Sequence, residues 1–86
     1  MIIQYTSSFE RAYKKLSSDR QRQIDDALRV FAQEPFHPQL RNHKLKGSQK
    51  GIRSVSAAYD LRILYVEHDN HTIVIFIDVG THDEVY

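Results

Sequence analysis

No cysteine occurs among the 86 residues, which excludes a disulfide scaffold and every thiolate metal site. A domain of this size must then be held by its own core or by a partner. Only three glycines are present, Gly47, Gly51 and Gly80, and their spacing forms no phosphate-binding loop, so nucleotide hydrolysis has no support. No apolar run approaches the roughly 18 residues of a membrane span, and no basic region precedes a signal-type apolar stretch at the start of the chain. The expectation is a cytoplasmic protein with no membrane contact. The length leaves room for one domain, residues 1–86, and the 41% apolar content is too high for a disordered chain.

What is present begins with a concealed charge split. Residues 1–57 carry eleven Lys/Arg against five Asp/Glu, whereas residues 58–86 carry only Arg62 against six acids. The stretch Arg41–Arg53 holds Arg41, Lys44, Lys46, Lys50 and Arg53 with no acid, and His43 lies within it. That stretch is either a solvated connector or a surface for a polyanion.

Periodicity predicts an α+β domain. Met1–Thr6 reads as a short strand. Phe9, Ala12, Tyr13 and Leu16 fall on one helical stripe behind a Ser7–Glu10 capping box. Ile24, Ala27, Leu28 and Phe31 form a second stripe behind Ser18–Gln21, running to about Gln33. Pro35 and Pro38 end the helical hairpin, which leaves 34–42 as an ordered, exposed connector. Strands are expected over 52–57, 60–67 and 72–79, the last two joined by a tight Asp69–Asn70 turn. Ile73, Ile75, Ile77 and Val79 alternate with Val74 and Phe76, so the last strand should be interior to its sheet. The result is an N-terminal strand, a helical hairpin and a three-stranded antiparallel meander that forms one sheet on the helices.

Few residues carry chemistry. His68 and His71 flank the expected turn and read as solvent-facing, and His37 between two prolines reads as packing or surface. His43 sits among cations, where an imidazole titrating near pH 6.5 serves either as a base or as an anion contact. His82 follows the most apolar strand, at the end of a rigid element, as a catalytic or a capping group. Arg62 interrupts an apolar strand and must either pair with Asp60 or Asp78 or aim at phosphate. Tyr59 and Tyr86 are core edges or stacking rings.

Four stretches together resemble the RelE/ParE superfamily of bacterial toxins, in particular its RelE and YafQ-like branch. They are Phe9–Leu16, His43-Lys44-Leu45-Lys46-Gly47, Asp60-Leu61-Arg62-Ile63-Leu64-Tyr65 and Val79-Gly80-Thr81-His82-Asp83-Glu84-Val85-Tyr86. The resemblance implies a RelE-like fold and a ribosome-dependent endoribonuclease that cuts mRNA in the A site. It also implies a cognate antitoxin, and the basic surface suits one that is acidic and folds on binding. His43, Asp60, His82 and Tyr86 match the branch's histidine before the Leu-x-Gly turn, its acid, its Gly-Thr-His histidine and its C-terminal aromatic, and Arg62 matches the strand arginine of RelE. Ser56 and Asp78 stand where YafQ-like chains carry a histidine and an arginine. The base is then His43 or Asp60. Phosphate falls to Arg62, with Arg41, Lys44, Lys46, Lys50, Arg53 and Tyr86 as RNA contacts. Because RNA brings its own 2′-hydroxyl nucleophile, the implied reaction calls for no metal or cofactor. A ParE-like inhibitor of DNA gyrase and a catalytically decayed RNA-binding homologue are the alternatives.

Overall fold

A computed structural model describes residues 1–86. Strand β1 (Ile2–Tyr5) leads into helices α1 (Ser7–Lys14) and α2 (Ser18–Gln33), and the chain then crosses to a two-residue strand β2 (His43–Lys44). Strands β3 (Arg53–Ala58), β4 (Leu61–His68) and β5 (Ile73–Gly80) follow, and a single-turn helix α3 (His82–Val85) ends the chain. The sheet runs β1-β5-β4-β3-β2, with β1 parallel to β5 and all other pairs antiparallel. The expected meander is present and β5 is interior, while β2 and α3 were not expected. None of the helices is long and apolar enough to cross a membrane.

Both helices start one residue earlier than the capping-box pattern predicts. Thr6 is extended and accepts the Phe9 N–H at 3.1 Å, and Ser17 accepts the Arg20 N–H at 3.2 Å. Ser7 and Ser18 are already helical, so they cannot occupy the extended backbone that a cap requires.

The helices cover one face of the sheet. Phe9, Ile24, Ala27 and Phe31 meet Val55, Ile63, Tyr65, Val74, Phe76 and Val79 in one core cluster. Phe31 lies edge-on to Tyr65 and Phe76 at centroid distances of 5.0 and 5.2 Å. Leu40, expected in an exposed connector, is 1% exposed, because the Pro38–Leu40 turn folds it into this core.

Two irregularities position side chains. Leu64 pairs with Asp78 and Tyr65 with Phe76, so Ile77 is an additional residue in β5. Phe76 and Val79 consequently share the helix face, while Asp78 turns to the other face and accepts the Val79 N–H at 2.8 Å. The β4–β5 connection is longer than the two-residue turn expected. Asp69, Asn70 and His71 have φ of 56°, 53° and 65°, three left-handed residues in succession. Asp and Asn tolerate that region, but at His71 it costs on the order of 1–3 kcal/mol. Glu67 offsets part of this by accepting the His71 N–H at 2.8 Å.

Candidate functional site

The pleat sends neighbouring residues to opposite faces. His43, Ser54, Leu64 and Asp78 are successive partners across β2, β3, β4 and β5 on the face away from α1 and α2. Ser56, Arg62 and Gly80 form the next row. Ser54 and Leu64 are nonetheless 0% and 3% exposed. Their cover is the C-terminal segment, whose Tyr86 hydroxyl makes a short hydrogen bond to Ser54 Oγ.

That segment is fixed at several points. Thr81 and Glu84 form a reciprocal capping box, with the Thr81 N–H donating to Glu84 Oε1 at 2.8 Å. This backbone donor, with the Thr81 hydroxyl, holds the Glu84 carboxyl below its ordinary range. Asp60 Oδ1 accepts the His82 N–H at 3.2 Å, and Gln49 donates to the Val85 carbonyl at 3.0 Å. Gly80 permits the approach, since a Cβ there would lie 3.0 Å from Glu84 Oε1 and 3.3 Å from Val85 Cγ1. The His82 ring, more than half exposed, stands edge-on to Tyr86 at 4.5 Å.

Of the two alternatives for Arg62, the ion pair is absent: it pairs with neither Asp60 nor Asp78. Its Nη1 donates to Ser56 Oγ and to the carbonyls of Ala58, Tyr59 and Leu61 at 2.9–3.2 Å. The β3–β4 turn directs these carbonyls inward, and one nitrogen of the guanidinium gathers them. Its Nε and Nη2 make no bond within the protein and remain available. Arg41 and Arg62 line one cleft of about 310 Å³ with Ser56 and Tyr59, a residue that is 97% exposed. His43 Nδ1 lies 2.9 Å from the Arg41 carbonyl. A carbonyl only accepts, so Nδ1 carries the proton and Nε2 of the neutral ring presents its lone pair.

Local links thus connect the expected residues on this side of the sheet: Arg41 with His43, Arg62 with Ser56, and Asp60 and Tyr86 with His82. Lys46 and Lys50 flank the Gly47–Gln49 turn in exposed positions beside α3. Lys44 and Arg53 do not join the group, because they are Cα partners in the row that continues through Tyr65 to Phe76 on the helix face. His71 was expected to face solvent, yet its side chain is 14% exposed and bonded to Tyr65 Oη at 2.8 Å. Burial pushes its pKa down. His37 accepts the Gln39 N–H and caps a turn. Sequence reasoning missed Ser54, which has no local signal, and α3, whose Thr81-x-x-Glu84 box is legible in the chain.

The assembled arrangement offers two guanidinium groups at a cleft, a histidine with a free lone pair and an exposed histidine oriented by a tyrosine. Such a set suits stabilisation of an anionic transition state with proton transfer on either side. No curated protein matches the sequence. Among solved structures, YafQ from E. coli strain BL21(DE3) superposes with a TM-score of 0.80 at 21% identity, over 98% of this chain and 96% of that one. A YoeB/ParE toxin from Agrobacterium tumefaciens gives 0.77 at 21% identity, over 95% and 99%. The E. coli DinJ–YafQ toxin–antitoxin complex gives 0.77 at 22% identity, over 98% and 94%. These establish a shared fold. The sequence profile described as bacterial toxin of type II toxin-antitoxin system, YafQ, matches residues 1–86, and the chain therefore belongs to the YafQ family of bacterial toxins within the RelE-like superfamily.

Proposed function

We propose that this toxin is an endoribonuclease that cuts mRNA in the ribosomal A site by attack of a ribose 2′-hydroxyl on the adjacent phosphate. His43 Nε2 takes the 2′ proton while the O2′–P bond forms. Arg62, with Arg41 across the cleft, neutralises the charge that grows on the phosphoryl oxygens. His82 gives a proton to the 5′ oxygen as the P–O5′ bond breaks, leaving a 2′,3′-cyclic phosphate and a 5′-hydroxyl. Asp60 and Ser54 are positioning residues: the first holds the His82 backbone, and the second, through Tyr86, its ring. Ribosomal alignment of the message would supply the proximity that so shallow a site lacks.

The observation that best supports this reading is the cleft that Arg41 and Arg62 share, with His43 bonded to the Arg41 carbonyl and the His82 backbone held by Asp60, two residues before Arg62. Ser56, in place of a family histidine, favours a second reading in which the protein binds RNA without cutting it. Regulation by a cognate antitoxin follows from the family, and the acid-free 41–53 surface suits an acidic chain that folds on contact. The test is to incubate wild type, His82→Ala and Arg62→Ala with programmed ribosomes and map new mRNA ends. Wild type should cut in the A site, with each variant slower by about 10²-fold or more. Equal cutting by all three would remove these residues from the site. Binding without cutting would favour the second reading, and inhibition of gyrase supercoiling without cutting would favour a ParE-like activity.

A further inference from the structure

The cations left outside the active face have a setting of their own. A cleft of about 460 Å³ on the helix side of the β2 edge is lined in part by Phe36, Lys44, Arg53, Glu67, Asn70 and His71. Arg53 is held there by a chain of hydrogen bonds whose directions follow from chemistry. Asn42 donates through Nδ2 to the Pro35 carbonyl at 2.9 Å and to Tyr65 Oη at 2.7 Å, so its Oδ1 is the atom that accepts from Arg53 Nε at 2.8 Å. Tyr65 Oη, already accepting from Asn42, donates to His71 Nε2 at 2.8 Å. His71 is in turn fixed by Glu67 in the left-handed loop.

The guanidinium at the end of this chain rests over the Phe36 ring, 5.1 Å from its centroid. Arg53 makes no ion pair; its guanidinium, bonded to Asn42 at Nε, also lies against the Tyr65 hydroxyl, and no carboxylate pairs with its Nη groups. Lys44, its Cα partner on the edge strand, places a second cation alongside. A fork-shaped donor held at Nε, supported on one face and left without a carboxylate is preorganised for an oxyanion. Phe36, 56% exposed, adds an aromatic surface next to it.

We propose that Arg53 and Lys44, beside the Phe36 ring, form a second nucleotide site that binds a phosphate of single-stranded RNA away from the scissile one, so that the strand is gripped on both sides of the β2 edge. The proposal rests on the RNA-cutting function above and deepens it. An oxyanion receptor joined to an exposed aromatic matches the two parts of a nucleotide. An acidic peptide would leave the ring unused.

The test measures binding of a short, unstructured 2′-O-methyl RNA, which lacks the nucleophile, to wild type, Lys44→Ala, Arg53→Met, Phe36→Ala and the charge control Lys14→Ala across a salt series. Lys44→Ala and Arg53→Met should each weaken binding about three- to tenfold and lower the salt slope by about 0.7, the value for one phosphate on a single strand. Phe36→Ala should weaken binding with the slope unchanged, and Lys14→Ala should behave as wild type. Slopes and affinities equal to wild type in Lys44→Ala and Phe36→Ala overturn the site even if Arg53→Met fails to fold. Pelleting with vacant ribosomes separates the sources: loss there as well as on the oligonucleotide assigns the site to RNA in general, and loss on the oligonucleotide alone assigns it to message. Competition by polyglutamate against wild type but not against Lys44→Ala overturns it in favour of an acidic protein. Wild type that neither binds RNA nor cuts it defeats the function itself, whereas wild type that cuts while the variants bind normally defeats only this site.

Discussion

His43 and Lys44 are neighbours in the chain, yet they serve opposite sides of one sheet. Across from His43, the row through Ser54, Leu64 and Asp78 is covered by the C-terminal turn, which buries Ser54 and Leu64 and leaves His43 exposed at the edge. Across from Lys44, the row through Arg53, Tyr65 and Phe76 runs from solvent into the densest aromatic packing of the molecule. One row ends in an exposed histidine that little packs on. The other carries groups whose orientation is imposed by everything that does. A β-sheet separates the two tasks at the cost of one residue of register.

The sharpest way to test this division is to remove a side chain from each face and read both stability and cutting. His82→Ala should lower cleavage by about 10²–10⁴-fold with little change in Tm, whereas Phe31→Ala should cost about 3–5 kcal/mol of stability. The folded fraction of the latter should still cut at low temperature. Parallel losses in both quantities for either variant would mean that the faces are not separate.

A smaller effect is expected where the candidate site depends on close approach. Gly80→Ala would press on Glu84 and Val85 and move α3, and a displacement of that kind lowers rate by up to about 10²-fold. Thermal unfolding should change far less than the rate. An unaltered rate would show that the position of α3 does not matter to cutting.

On the helix face, Tyr65→Phe takes away the hydroxyl shared by Asn42 and His71. The two groups left unpaired should cost about 1–3 kcal/mol in urea unfolding. A cost below that range would mean that water replaces the hydroxyl and that the network is less enclosed than its geometry indicates.

The smallest effect is one of pH. Burial holds His71 below its ordinary pKa, so the unfolded chain binds the proton more readily than the folded one. The contribution of neutral His71 is complete above the unfolded value and is lost as pH falls through the folded one. Wild-type Tm should therefore drop between about pH 7.5 and pH 5 by more than that of His71→Asn, a residue that tolerates the left-handed backbone. Equal drops would remove His71 as a contributor.

Much of the fold was legible because it rests on short-range rules. The stripes of α1 and α2, the two apolar faces of β5 and the proline stop after α2 are local patterns, and each strand boundary was off by only one residue. The caps slipped because Thr6-Ser7 and Ser17-Ser18 each offer two adjacent hydroxyls. Which one is extended depends on where the preceding chain enters. At the candidate site, the residue types and motif spacing of His43, Asp60, Arg62 and His82 were visible, but their partners were not. Arg62 reads as half of an ion pair until the β3–β4 turn collects four acceptors around one of its nitrogens.

The amino-acid order by itself determined the helical hairpin, β1 and the β3–β5 meander, the basic 41–53 stretch and the family motifs, since periodicity and motif spacing are properties of neighbours along the chain. Only the tertiary structure decided which face each cation serves. The Ile77 bulge, the return of Tyr86 to Ser54 and the anchoring of Arg53 by Asn42 join residues distant in sequence or reset the pleat. A side chain's face depends on the register of the whole sheet, and register is settled by packing.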